Sequence, residues 1–279
     1  MDRREVLDAL IKVSVIALAA LAVAPIAHLI LTAAVEGGSV IARSGLKFFT
    51  EPPPPPGSRT YGILTSLVGT LELALISSVI GIPLAFMAAV LSVEFPSSLP
   101  GRVVRLLSRV LLEVPTVLVG MLFYILMVAP MGRPSILAAS LALAMVMLPY
   151  VYTYVESALS SVPVEYREAG LALAMTRPQL VFRVVVPIAW RGVATGFLIG
   201  VMKAVGETAP LLFTLGRARS QLNVNPLGPG DSISLLIYDY AQAPYENMRQ
   251  VAWGAALVLI LALLAVNLVF RRVYRGLTP

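Results

Sequence analysis

The sequence predicts an all-α integral membrane protein that crosses the bilayer about six times. Three observations lead there. Of 279 residues, 58% are apolar and only 13% are charged, whereas a soluble domain carries about a quarter charged residues. Mean hydropathy is +0.86. Six segments are each long enough to span the hydrocarbon core, which takes about 20 apolar residues as a helix, and the basic residues sit in short clusters between them.

The first segment, 11–35, follows Arg3 and Arg4. Its apolar stretch exceeds the roughly 7–15 residues of a signal-peptide core, so it reads as a retained helix behind a cytoplasmic N-terminus at 1–10. An outer loop at 36–63 holds five consecutive prolines, Pro52 to Pro56, which favour a stiff extended strut or a plain spacer. The second segment, 64–93, carries Gly81 and Pro83 and is expected to kink or end early there. The third and fourth segments are 110–130 and 135–156. An inner connection at 157–190 leads to the fifth, 191–216. The outer loop at 217–249 is rich in Asn, Pro and Gly at its start. Its Ser232–Tyr240 stretch is apolar enough to lie along the membrane face, and Tyr238, Tyr240 and Tyr245 suit an interfacial belt. The sixth segment, 250–270, ends in a tail at 271–279. With the N-terminus inside, the inner segments carry 13 Lys and Arg and the outer ones 7. That bias puts both termini in the cytoplasm of a cell membrane.

Composition also excludes functions. Cysteine is absent and His28 is the one histidine, which leaves neither thiol chemistry nor a zinc or haem ligand set. The three lysines, Lys12, Lys47 and Lys203, all lie outside the G-K-[ST] context of a phosphate-cradling loop. Any use of ATP must therefore happen on a partner, and no residue is assigned a catalytic role. The net charge of +6 is the charge of membrane-flanking clusters, not of a nucleic-acid surface.

Two regions stand out. The inner connection reads as a helix-turn-helix. Pro163 suits a first helical turn, a helix runs to about Met175, and Thr176-Arg177-Pro178 makes a turn. A second short helix then runs to about Val186 and stops at Pro187. The other region is the fifth segment, which carries Lys203 and Glu207 inside the membrane, where a charge costs on the order of 2.5–3.5 kcal/mol. At about 100° per residue, Gly192, Gly196, Gly200, Lys203, Glu207 and Pro210 share one stripe. The glycines repeat every four residues, a surface for close helix packing, and Pro210 falls where a kink could open the face. Lys203 and Glu207 either line a wet path or neutralise each other at i, i+4. On the path reading, Lys203 beside the Thr208 hydroxyl suits a weakly held oxyanion, and Glu207 orients a basic group. Glu72 and Glu113 have no assigned role, and His28 and Asn267 read as packing or interfacial groups.

Glu168-Ala169-Gly170, then Ala174, then Val184, Val186 and Pro187 follow the spacing E-A-A, three residues, G, nine residues, I-x-L-P. In this the chain resembles the permeases of ABC importers. Gly170 stands where that pattern has its second alanine, and Ala174 where it has glycine. The resemblance implies a type I importer fold, with 64–270 as the permease domain and the 157–190 loop as a coupling element docked on an ATPase. Phe48-Phe49-Thr50-Glu51 before the proline run, Gly69-Thr70-Leu71, the run Val114 to Gly120 and the run Gly206 to Thr214 resemble PstA-type phosphate permeases more closely. The resemblance covers nearly the whole chain, from about 11 to 270. That family usually has arginine where Lys203 stands. The resemblance implies transport of inorganic phosphate, a homologous PstC-type permease as partner, PstB-type ATP-binding subunits below and a PstS-type phosphate-binding protein outside. Sulfate, molybdate or a phosphonate is the alternative cargo within the class, and a stand-alone secondary transporter is the alternative outside it.

Overall fold

A computed structural model describes residues 3–58 and 60–275; Met1, Asp2, Arg59 and the last four residues of the expected tail lie outside it. Among the described residues five helices are long and apolar enough to cross a membrane, or six spans if the bent pair Leu99–Glu113 and Thr116–Met131 is counted as one. Helix α1 runs over Arg3–Thr32 and continues through a π-turn at Ala33–Gly37 to Ser44. Helix α2 is Leu64–Glu94, α3 is Leu99–Glu113, α4 is Thr116–Met131 and α5 is Ile136–Ser160. Helix α6 is Val164–Ala172 and α7 is Arg177–Gly206. Helix α8 is Ile233–Ala241 and α9 is Glu246–Arg275.

Helix α5 is the hub, packed on one side by α2 and on another by α7. Its Leu143, Met147, Val151, Tyr152, Val155 and Leu159 are all buried. Close approach rests on missing side chains. Gly81 of α2 lies against Met147, and Gly192, Gly196 and Gly200 of α7 lie against Ala158, Tyr154 and Val151, so that a Cβ at any of them would press into α5. The glycine stripe therefore faces a helix of this same chain. In contrast, the apolar window of α1 has no residue buried within this chain.

Several expected boundaries move. The third segment is not one span. The chain breaks at Val114-Pro115, and α3 and α4 meet at 105°, because Pro115 opens a new helix and holds the residue before it out of helical conformation. Pro83 does not end α2, which continues to Glu94. Pro187 does not stop the second hairpin helix either. A π-turn at Val181–Val185 resets the ladder, so Pro187 falls in the first turn of the α segment that follows, where its missing N–H costs nothing. The fifth span instead ends early, at Gly206. Pro210 would clash with the carbonyl four residues before it, so it terminates the helix and does not kink it. The outer loop at 36–63 is helical to Ser44, and its proline run is no free strut. Pro53 and Pro54 are buried, and Pro54 O accepts a 2.7 Å hydrogen bond from the Tyr240 hydroxyl. Tyr240 is accordingly core, not belt, in a cluster with Phe48, Ile63, Leu236 and Val251. Tyr238 and Tyr245 stay exposed.

Candidate functional site

The two breaks in spanning helices lie side by side. Gly120 of α4 is so close to Pro210 that a Cβ there would sit 2.6 Å from Pro210 Cα. Below that contact, the break between α3 and α4 opens a cavity of about 230 Å³ lined by Glu113, Pro115, Thr116, Val119, Met145 and Tyr150. Non-helical backbone at membrane depth is tolerated where it is buried in protein or lines a wet cavity, and broken helices are a common way to build a transport site.

Lys203 and Glu207 lie at this junction. The ammonium forms an ion pair with the Glu207 carboxylate, whose side chain is 9% exposed against 32% for the lysine. The Lys203 Nζ also sits 5.3 Å from the centroid of the Tyr150 ring, a cation–π distance. Tyr150 thus touches the ion pair and lines the cavity. Glu207 is extended at the end of α7, and its carbonyl accepts a 2.7 Å bond from the Ser234 hydroxyl of α8. Thr208 is half-buried, and its carbonyl accepts the N–H groups of Leu211 and Leu212 at 3.1 and 3.3 Å, opening the turn of helix at Leu211–Thr214. An ammonium has three donors. One on Glu207 leaves others free for an anion beside the cavity, which Lys203 adjoins through Tyr150 without lining it. Tyr150 and the break at Val114-Pro115 were missed by sequence reasoning, although the Pro115-Thr116 pair marks a helix start.

The hairpin is built at the other end of α7. Helix α6 closes in a Schellman turn, with Ala174 N–H donating to Leu171 O at 2.9 Å and Met175 N–H to Gly170 O at 3.2 Å. Ala174 takes the left-handed conformation, φ 56°, that glycine usually fills. Gly170 is buried beneath Leu180, whose Cδ1 would lie 2.5 Å from a Cβ there and would have to turn aside. Gln179 Oε1 caps the next helix by accepting from Thr176 N–H at 2.9 Å. Glu168, Ala169 and Ala174 are exposed, as is Pro187, while Val184 is half-buried against the core. The anchor is one that sequence spacing does not reveal. Arg167 reaches the end of α2, 3.3 Å from Glu94 Oε1, and donates to Leu159 O and Val162 O at 2.8 and 2.6 Å. Arg177 donates to Glu94 O at 3.1 Å.

A third cluster, also absent from the sequence reading, lies at the far end. Arg219 binds Asp231 at 3.3 Å and Asp239 at 2.7 Å, and Arg217 binds Asp239 at 2.6 Å. The Ser66 hydroxyl of α2 donates to Asp231. Burial pushes the Asp231 carboxyl above the usual carboxylate range, partly offset by Arg219 and Ser66. At Asp239 burial also works upward, but the bonds from Arg217 and Arg219 outweigh it and hold the group low. No group of His, Asp or Glu among the described residues could hold a metal.

Known proteins match this architecture. The family profile described as "Binding-protein-dependent transport system inner membrane component" matches residues 81–279. A relative from Methanocaldococcus jannaschii, named probable phosphate transport system permease protein PstA, is 44% identical over 90% of this chain and 87% of its own length. Phosphate transport system permease protein PstA 1 of Mycobacterium tuberculosis is 34% identical over 88% of this chain and 80% of its own. Among solved structures, the inward-facing MetNI methionine ABC transporter superposes with a TM-score of 0.63 at 20% identity, over 77% of this chain and 95% of that one; at that identity the likeness speaks for the fold. The chain, a multi-pass membrane protein, therefore belongs to the binding-protein-dependent transport system inner membrane component family.

Proposed function

We propose that this chain is the permease subunit of an ATP-driven importer of inorganic phosphate. The observation that carries the mechanism is the continuity of α7. One helix from Arg177 to Gly206 joins the hairpin to the ion pair, and Lys203 lies about 39 Å along it from Arg177 at 1.5 Å per residue. A push at the hairpin is a push on Lys203. ATP is bound and hydrolysed on partner subunits, PstB-type, that dock against the exposed Glu168, Ala169 and Ala174 side of the hairpin in the cytoplasm. A PstC-type permease completes the pathway, a PstS-type protein delivers phosphate outside, and both termini of this chain are cytoplasmic. The names of the relatives support phosphate as cargo, and the ammonium at the broken-helix junction supplies the matching charge. Nucleotide-driven closure shifts α7 against α5 along the glycine face, moves the Lys203–Glu207 pair at the cavity and alternates its access. No covalent intermediate forms on this chain.

The test is uptake of labelled phosphate by the reconstituted complex. Lys203→Ala is expected to abolish uptake while the subunits still co-purify, and Lys203→Arg to retain part of it, since the charge stays but the donor geometry changes. Normal uptake in the alanine variant removes Lys203 from the pathway. Strong inhibition of the parent complex by sulfate would overturn phosphate as the cargo.

A further inference from the structure

Helix α3 is not among the five helices that are long and apolar enough to cross a membrane alone. It leaves α4 at 105°, so when α4 points across the bilayer α3 lies in its surface. Its residues divide sharply by face. Gly101 and Ser108 are buried against the protein. On the opposite side Leu99, Val103, Leu106 and Val110 fall within about 60° of one another at 100° per residue, and they are 70, 43, 62 and 51% exposed. Beside this stripe, on one flank, stand Arg102 and Arg109. Both are exposed, and no ion pair is found for either among the described residues. Arg105, turned further inward, is taken up by Glu156 of α5 at 3.1 Å and by Ser92 O of α2 at 2.9 Å. The helix is therefore clamped to the ends of two spans by one arginine and presents the other two outward.

We infer that α3 is an anionic-lipid site, its leucine and valine stripe seated in the acyl region and Arg102 and Arg109 bound to the phosphates of acidic headgroups. An apolar face that wide with cations along its edge is the pattern of a helix lying in a membrane interface. Arginine matches phosphate oxygens as a planar fork. The leaflet is the one on the hairpin side, since Glu94 at the end of α2 also carries Arg167 and Arg177. A headgroup held there steadies the elbow at Glu113–Thr116, which lines the cavity. The inference needs the chain to span a membrane but not that its cargo be phosphate.

The complex is purified from vesicles of phosphatidylcholine mixed with phosphatidylglycerol, and the lipid it retains is extracted and counted. The parent should be enriched in phosphatidylglycerol over the bulk mixture. Arg102→Gln with Arg109→Gln should lose that enrichment, by roughly five-fold for each arginine, the factor expected of a basic residue at an acidic surface. Arg133→Gln, in the connection between α4 and α5, should keep it. A second measurement asks what covers the apolar stripe. Tryptophan fluorescence added by Leu106→Trp should be quenched by phosphatidylcholine with brominated acyl chains. Unchanged enrichment in the double variant overturns the headgroup contact. An unquenched tryptophan overturns the lipid assignment and hands the face to a partner subunit.

Discussion

Ala174 occupies a conformation that suits glycine. Its φ of 56° brings Cβ close to the following carbonyl, a cost of about 1–2 kcal/mol for an L-residue with a side chain. The turn persists because both Schellman bonds close and because Gly170, one turn earlier, lets Leu180 press onto α6. Relative to the E-A-A and G pattern, alanine and glycine have exchanged places, and each has a different physical task. Gly170 provides clearance and Ala174 tolerates strain. Ala174→Gly is therefore expected to stabilise the hairpin by about 1 kcal/mol, part of the strain being offset by the extra freedom glycine has when unfolded. The check is thermal unfolding of the solubilised complex, where a rise of about 2 °C is expected and a fall would show that the turn is not strained.

At the scale of elements, the hairpin works as a lever only if its fulcrum holds. Arg167 supplies it, binding Glu94, Leu159 O and Val162 O together. Removing it frees α6 from the end of α2 and leaves three acceptors with less than they need. Arg167→Ala should keep ATP hydrolysis but lose phosphate moved per ATP by several-fold, measured as uptake and hydrolysis in the same vesicles. An unchanged ratio would mean that the anchor carries no force. Much of this was legible beforehand. Sustained apolar runs report spans because the bilayer demands length, and the i, i+4 glycines report a packing face because their effect is local. The continuity of α7 was not legible, since Pro187 argues for a stop unless a π-turn absorbs it. The α3–α4 elbow was signalled by Pro115 but went unread, because the apolar stretch from Val110 onward is long enough to pass for a straight span. Arg167–Glu94 and the Arg219 cluster join residues far apart in the chain, and charge alone does not say which carboxylate an arginine will find.

For the whole molecule, the end of the bundle away from the hairpin is fastened by charge, as the hairpin end is fastened by Arg167. Arg219 O accepts from the Thr65 hydroxyl at 3.1 Å, and Gly69 of α2 is pressed against the backbone of Asp231, where a Cβ would collide. Asp231 and the Arg219 backbone therefore fasten the 217–241 segment onto α2, Asp239 ties Arg217 and Arg219 together within that segment, and Tyr240 fastens it to the 51–63 segment through Pro54. The two acids respond to pH in opposite senses. Asp239 is held below the ordinary carboxylate value of about 3.9, so its contribution is fully present above that value and is lost as pH falls through its depressed one. Asp231 is raised, so its ionised form is the costly one and its contribution fades as pH rises through its elevated value. Asp239→Asn should thus destabilise the complex at neutral pH by roughly 1.5–3 kcal/mol, the range for hydrogen bonds to a charged group, since its side chain is 19% exposed and bonded to two arginines. The gap in melting temperature between variant and parent should then close as pH drops below the carboxylate range, because protonation removes from the parent what the amide already lacks. A gap that stays constant with pH would show that Asp239 holds the 217–241 segment by shape and not by charge.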